Sequence, residues 1–508
     1  MSKRPWHQSV SSRLRLRRKH HRSGSLQRRL GKLLHLEPLE ERRLLATLLV
    51  NSDLDNTTAG DGLVTLREAI NAANDDLTTD LGDTGSGADT IMFGAGVTGT
   101  IVLTQGKLPF IDSDVEITGP GADVLAISGN DANPIITLHE GNIEISGLTF
   151  RDGFSFFSGG ALTVSSFATV TIRESVFTEN ESVSNSGGGG AISASGSLTL
   201  IDCYLHHNYA QRAGAIEAGF GTLIIENSTL ANNVAHETLG NSEGGAILFG
   251  DGDLRITNST ITGNSVSSES PALGVGGAIF VGTTSGSVTI ENSTITNNTA
   301  DVFGGIDASF SVPVTLQNTI VAANHSSGTA DVSGSFTNSF HNLIGNVGSA
   351  SGLTAAGNNQ TGTSASPLNP VLGPLADHGG HTPTHALFPG SPAIDAGVDA
   401  GSTARDQRNK ARPNDLPGFA NGTGSDGSDI GAYELGDMDA DGLVDPVEDG
   451  AANNGDGNND GTPDSEQAHV ASLPNNADGQ YVTLAAPVDA SLADVAAVPN
   501  PSIEDAPQ

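Results

Sequence analysis

The chain has 508 residues, of which 65 are Gly, 16% are charged and 4% are aromatic. That balance excludes a helical bundle, which needs Ala, Leu, Glu and Lys in bulk, and suits many short strands joined by tight turns. The single Cys, Cys203, excludes an internal disulfide framework, no Cys/His spacing fits zinc, and no apolar run reaches the roughly 18 residues of a membrane-spanning helix.

Charge is divided unevenly. Residues 1–46 carry 13 Lys and Arg against 3 acidic residues, while the remainder carries 10 against 55. A basic leader on an acidic body reads as export rather than as a nucleic-acid-binding arm, because phosphates would repel the body. The stretch LEPLEERRLLA at 36–46, after an Arg-rich run, resembles the LEPR-XLL leader of envelope and secreted proteins, with Leu39 where that family has Arg. The resemblance implies that 1–46 is an export leader, removed or used as an anchor. The protein is then expected to be secreted or held at the cell envelope or cell surface.

Residues 47–142 read as an amino-terminal cap with irregular first coils. LVTLREAINAAN at 63–74 is an amphipathic helix with Leu66, Ile70 and Ala73 on one face. It resembles the CSLREA domain, with Val64 where that family has Cys, and the short β segments DTIMF, GTIVLT, VEITGPGA, VLAISGN and PIITL follow it. Arg67 and Glu68 are expected to make a salt bridge or a cap, not to do chemistry.

From 143 to 325 the chain repeats. TVTIRESVFTEN, SLTLIDCYLHHN, TLIIENSTLANN, DLRITNSTITGN, SVTIENSTITNN and PVTLQNTIVAAN align without gaps, with a weaker copy at 142–153. Ile145, Ile172, Leu200, Ile225, Ile256, Ile290 and Leu316 form one apolar ladder, and the row from Phe150 to Val321 a second. Asn180, Asn208, Asn233, Asn264, Asn298 and Asn324 form a polar ladder. The spacing averages 28.5 residues. Alternating apolar positions mean strands with one face inward, and parallel repeats with no helix between them describe a solenoid. GGAL, GGAI, AGAI and GGID recur once per repeat, where Gly allows positive φ and close backbone approach. Asn suits the opposite corner because it tolerates the left-handed region and its amide can bond the Asn one coil away. Cys203 takes the slot held elsewhere by Ser175, Ser228, Ser259 and Ser293, so it reads as a ladder substitute. The pairing of GGAI with an apolar residue three before Asn resembles the repeat of polymorphic outer-membrane proteins and related right-handed β-helix adhesins. The predicted fold is all-β: a right-handed parallel β-helix of about seven regular coils, with capping regions at both ends.

Residues 326–435 resemble the choice-of-anchor Q domain through NSFHNLIGN, NPVLGPLADHGGHTPTHALFPGSPAIDAG, ARDQRNKARP and DIGAYE. The resemblance implies surface anchoring by association, and the segment is expected to cover the carboxyl end of the rod. His378, His381 and His385 could bind zinc only if a helix or hairpin fixed them, and Gly379, Gly380 and Pro383 argue against a helix.

At 436–470 the chemistry is sharper. DMDADGLVDPVE matches the calcium-loop pattern at every position, with Asp437, Asp439 and Asp441 as oxygen donors and Leu443 offering its carbonyl. Asp445 would act directly or through water, and Glu448 would close the site with two oxygens. A second copy supplies Asp456, Asn458, Asp460 and Asp464, with Gln467 in twelfth place. Without evident flanking helices, the pair resembles a thrombospondin type 3 calcium segment, in which structural Ca²⁺ offsets carboxylate repulsion. The following residues resemble the start of a choice-of-anchor U domain, and 471–508 read as a flexible tail.

No catalytic constellation is recognisable. Glu217 with Arg212, and the pair His206–His207, are the nearest to one. The sequence therefore points to a calcium-stabilised surface scaffold for adhesion or for binding polysaccharide or cell-surface glycan, with a ridged face of Ser, Thr and Asn to contact hydroxyls. The alternative is a polysaccharide lyase or glycoside hydrolase acting on the rod face.

Overall fold

The computed structural model describes residues 46–485, apart from 184–186, 239, 270, 310–311, 328–329, 399–403, 440–442, 469 and 475–480. The leader and the end of the tail lie outside the described residues. The described chain winds into an all-β right-handed parallel β-helix of about nine turns, more than the seven that the repeat spacing predicts. The extra turns come from both flanks. Asp89–Phe93 and Val115–Thr118 pair below the repeats, and Val332–Gly334, Leu343–Ile344 and Gln360–Thr361 pair above them.

Each repeat builds one coil in the same way. Ile247–Phe249, after a Gly pair, lies in the first sheet; the chain turns and Gly252–Thr257 continues that sheet. Asn258 then adopts a left-handed corner at φ 48°, and Thr260–Thr262 enters the second sheet. A second left-handed residue precedes Asn264, and Ser265–Ser268 forms a third, shorter sheet. Register is fixed: Ile256 stands over Ile225 and under Ile290, while Ile261 stands over Leu230 and under Ile295. These inward rows are fully buried. Phe150 and Phe177 stack at 5.0 Å and nearly parallel where the row begins. Gly at the first corner is a matter of room, since a Cβ on Gly245 would lie 1.9 Å from the Gly277 carbonyl.

The Asn ladder is the backbone's inner strap, and its geometry corrects one expectation. The ladder Asn residues are not the left-handed ones. The residue before each is: Glu179, His207, Asn232, Gly263, Asn297 and Ala323 all have positive φ. The ladder Asn instead points inward, buried from Asn180 to Asn298 and half-buried at Asn324. Asn180 Nδ2 donates to Asn208 Oδ1 at 2.9 Å, and the same bond recurs from Asn208 to Asn233, Asn233 to Asn264, Asn264 to Asn298 and Asn298 to Asn324. Asn324 then donates to Asp331 Oδ1 at 3.0 Å, and Asp331 Oδ2 accepts the Asn346 backbone N–H. A relay of amides that each donate upward has to finish on an acceptor, and a carboxylate supplies one without adding a donor. Asp331 is that group. A parallel Ser row runs beside it: Cys203 N donates to Ser228 Oγ at 3.0 Å and Ser228 N to Ser259 Oγ at 3.1 Å. Cys203 is buried within this row, and burial pushes its thiol up to about 12.

At the amino end the helix Leu66–Asp75 lays Leu66, Ala69, Ile70 and Ala73 on the first coil. Thr65 and Glu68 close a capping box, and Arg67 Nε pairs with buried Asp55 at 2.7 Å. Both residues are structural, as the sequence suggests.

Replacing Asp331 with Asn removes one acceptor from the end of the relay, where Asp331 takes half-buried N–H groups from Asn324 and Asn346. The expected cost is about 1–3 kcal/mol, measured as a lower urea midpoint with an unchanged slope.

Candidate functional site

The C-terminal lobe decides which faces of the rod are free. It does not sit only at the carboxyl end: residues 372–435 run back along the flank of the second sheet. The hairpin of Leu372–Ala376 and Thr384–Leu387 places Thr384 Oγ1 at 2.9 Å from Thr260 Oγ1. Gln407 donates to Thr229 Oγ1 at 2.8 Å and accepts from Thr260 Oγ1 at 2.6 Å. Ala432 N donates to Thr294 Oγ1, Val398 N to Asn318 Oδ1, and Gln360 reaches the Pro392 carbonyl. Ile320, Ala322 and Leu343 from the rod join Ala386, Leu387, Ile394, Ile430 and Tyr433 in a second core.

This docking covers the second-sheet part of the expected ridge of hydroxyls. Thr229, Thr260, Thr262, Thr294 and Thr296 are all buried, as are the Ser row and the Asn row up to Asn298. Short Thr and Ala side chains on that sheet make room for the lobe. His385 belongs to the same contact: its Nδ1 lies 2.8 Å from the Gly373 carbonyl and its Nε2 2.9 Å from Thr262 Oγ1. The carbonyl can only accept, so Nδ1 carries the proton and Nε2 accepts from Thr262. Neither nitrogen is left for a metal. His378 packs edge-on to Tyr433, His381 is exposed, and the three rings do not converge on a zinc site.

The segment at 436–470 folds against this lobe. Val444 and Val447 enter the second core, and single helical turns at Asp445–Glu448 and Ala452–Gly455 replace full flanking helices. The two loops share one internal bond, since the ninth residue reaches back to the second N–H in each. Asp445 Oδ1 accepts from Met438 N at 2.7 Å, and Asp464 Oδ2 from Gly457 N at 3.0 Å. Asp456 accepts from Asp460 N and Gly461 N, curling the second loop. Gln467 donates to Asp460 Oδ1 at 3.2 Å and so braces the loop as a donor, while Glu466 is exposed.

Leu443, Glu448 and Asp464 are buried and Asp437 and Asp439 half-buried, whereas Asn458 and Asp460 face outward to different degrees. Asp441 and Gly442 lie outside the described residues. Among those described, no three His, Cys, Asp or Glu side chains come together as an ion-holding group. The loops nevertheless meet. Glu448 Oε1 accepts from Ser472 N at 3.3 Å, and the Ser472 hydroxyl contacts Asp464 Oδ2. Asp464 Oδ1 is buried without a hydrogen-bond partner. Burial, and then the nearby Asp449 and Asp437, push the Asp445 carboxyl above its usual range. The segment is short of positive charge.

One corner of the first sheet carries rings that the sequence reading did not single out. Phe110, Phe167 and Phe220 are 47%, 72% and 65% exposed. His139 stands between the first two, at 6.0 Å from Phe110 and 6.3 Å from Phe167, with Lys107 Nζ 4.3 Å above Phe110. The pairings Glu140–Phe167 and Ile111–Leu138 put these rings on successive coils. Their positions vary between repeats, so no periodic pattern marks them.

The enzyme candidates stand apart. Glu217 lies in the first sheet beside the Arg212–Glu243 ion pair, and burial pushes its carboxyl up. His206 lies in the second sheet with its Nδ1 2.8 Å from His207 Nδ1, and burial lowers it to about 4. The two sets do not converge.

Among known families, one described as "Right handed beta helix region" matches residues 191–365, about a third of the chain. That match agrees with the coils seen here. No curated protein matches the chain. Among the described residues, no helix is long and apolar enough to cross a membrane.

Burial lowers His385 from 6.5 to about 4. A neutral buried His contributes stability that is full above the unfolded value and is lost as pH falls toward the folded one. Wild-type stability should therefore decline between about pH 6.5 and pH 4 by up to about 3 kcal/mol from this residue. His385→Gln should flatten that part of the melting-temperature profile, whereas an unchanged slope would assign the loss elsewhere.

Proposed function

We propose that the protein is an exported β-helix scaffold of the cell surface that binds polysaccharide or cell-surface glycan, with Ca²⁺ stiffening its C-terminal segment. The exposed ring corner carries this reading. Solvent-exposed aromatic faces in a row are costly to keep in water and suit the apolar faces of sugar rings. Coils repeat every ~4.8 Å, so alternate coils present rings about 10 Å apart, close to the length of a disaccharide unit. The acidic body and the basic leader support export, and the buried Thr row moves the binding face away from the second sheet.

Retention of the full chain in gels containing a polysaccharide panel tests the reading. Phe167→Ala with Phe220→Ala should weaken retention at least tenfold, taking about 1 kcal/mol for each ring. Unchanged retention would remove the corner from the function. Glu217 beside Arg212 and Glu243 supports a second reading, a lyase or hydrolase. Release of new sugar ends that disappears in Glu217→Gln would favour it.

The oxygen donors of 437–467 fit a hard cation: carboxylates, a backbone carbonyl at Leu443, and buried Asp464 with one oxygen to spare. Asp437, Asp439, Asp441, Asp445 and Glu448 would hold one ion, and Asp456, Asn458, Asp460 and Asp464 another. The ion would supply the positive charge that these carboxylates lack. Calcium should protect 437–467 from limited proteolysis, and Asp437→Ala with Asp456→Ala should abolish that protection. Equal cleavage with calcium and with chelator in the wild type would count against both loops.

A further inference from the structure

We propose that the lobe holds a separate cation site, outside the 437–467 loops, in which Asp395, Ser428 and Asp415 offer oxygens to a hard divalent ion such as calcium. Asp395 is 1% exposed, yet neither of its carboxylate oxygens has a hydrogen-bond partner. Ser428 is wholly buried, and its Oγ has none either. Both belong to one short backbone ladder. Ile430 N donates to the Ala393 carbonyl at 2.9 Å and Gly397 N to the Ser428 carbonyl at 2.7 Å, which sets Ser428 across from 395–397. Asp415 packs against Gly427, the neighbour of Ser428: a Cβ on that Gly would lie 2.7 Å from the Asp415 Cβ.

The other buried acids of the lobe are matched. Asp429 accepts from Asp395 N and Leu435 N, and Glu434 accepts from Asn414 N and Asp429 N. Arg412 is already committed to Glu434 Oε2 at 3.3 Å and to the carbonyls of Asp429 and Gly431. Asp406 holds Arg408. Asp395 is thus the acid that this network leaves uncompensated, and it faces further negative charge from Asp415 and Glu434. Burial, then those two neighbours, push its carboxyl up to about 6. A buried carboxylate with no donor is strongly disfavoured. A cation among carboxylate, hydroxyl and carbonyl oxygens resolves that, and all-oxygen donors select hard ions such as calcium.

Equilibrium dialysis of the chelator-treated full chain against radioactive calcium tests the site. A loop variant carrying Asp437→Ala, Asp456→Ala and Asp464→Ala should still bind one equivalent. Adding Asp395→Asn should weaken that binding at least tenfold. Ser428→Ala, which keeps both carboxylates, should weaken it at least threefold and serves if Asp395→Asn fails to fold. The proposal is overturned if the loop variant binds no calcium at millimolar concentration, or if Asp395→Asn keeps the equivalent. It is also overturned if Asp395→Asn simply raises stability at neutral pH with no change in calcium uptake, which is the behaviour of an acid that sits there protonated. Loss of loop protection with this equivalent retained would leave the site standing while removing the 437–467 reading.

Discussion

A parallel solenoid lives or dies by the vertical fit of one coil on the next. Strands must lie ~4.8 Å apart at every level, so each corner has to carry either no side chain or one that bonds to its own image above and below. In this chain the constraint is met by the relay of inward-facing amides from Asn180 to Asn324. Each Asn satisfies the N–H of the coil beneath it as well as the amide of its neighbour: Asn233 N and Asn233 Nδ2 both donate to Asn264 Oδ1. The apolar rows then need only be of similar size, and Phe, Leu, Ile and Val exchange freely along them.

This is why so much of the rod is legible in the sequence. A residue that must stack on its equivalent repeats at a fixed place in every copy, and the rows of Ile, Asn and Ser can be read directly. What escapes is whatever ends a row or covers it. Asp331 terminates the amide relay but stands seven positions after Asn324, out of register with the repeat. The left-handed corner shifts by one residue because Glu179, His207, Gly263 and Ala323 share no side-chain chemistry, only a tolerated backbone angle. The Thr row reads as a wet hydroxyl ridge because a short polar side chain looks the same whether water or another segment lies on top. The lobe that covers it is built from loops and one hairpin, with too little periodicity to announce where it docks. The motifs at 437–448 and 456–467 were legible as residue types, but their meeting at Ser472 was not, since that contact depends on a strand outside both loops.

Electrostatics divides the molecule along the same line. Among the described residues of the rod, most ion pairs bridge neighbouring coils, as between Glu144 and Arg173 or Arg255 and Glu291. Their partly exposed groups contribute little to stability. In the lobe the charges are buried, with Arg408 and Arg412 set among Asp406, Asp429 and Glu434, and the Arg408 guanidinium lies 3.4 Å from the Tyr433 ring centre and is clasped by Asp406. Such a network holds one geometry because every alternative strands a charge. The lobe is therefore the part of the molecule where a missing counter-charge has the most leverage, and the acidic segment beyond it extends that deficit.

The lobe's position along the flank also changes how the rod can come apart. In an ordinary solenoid each coil feels only its neighbours, so unwinding can start at an end and travel rung by rung. Here one continuous segment is bonded to Asn227, Thr229, Thr260, Thr294, Asn318 and Gln360. Those coils cannot open singly without tearing the lobe from all of them. The carboxyl half of the molecule is thereby converted from a one-dimensional array into a single cooperative block. The coils before Asn227, the first residue to which the lobe is bonded, keep the looser behaviour of a stack.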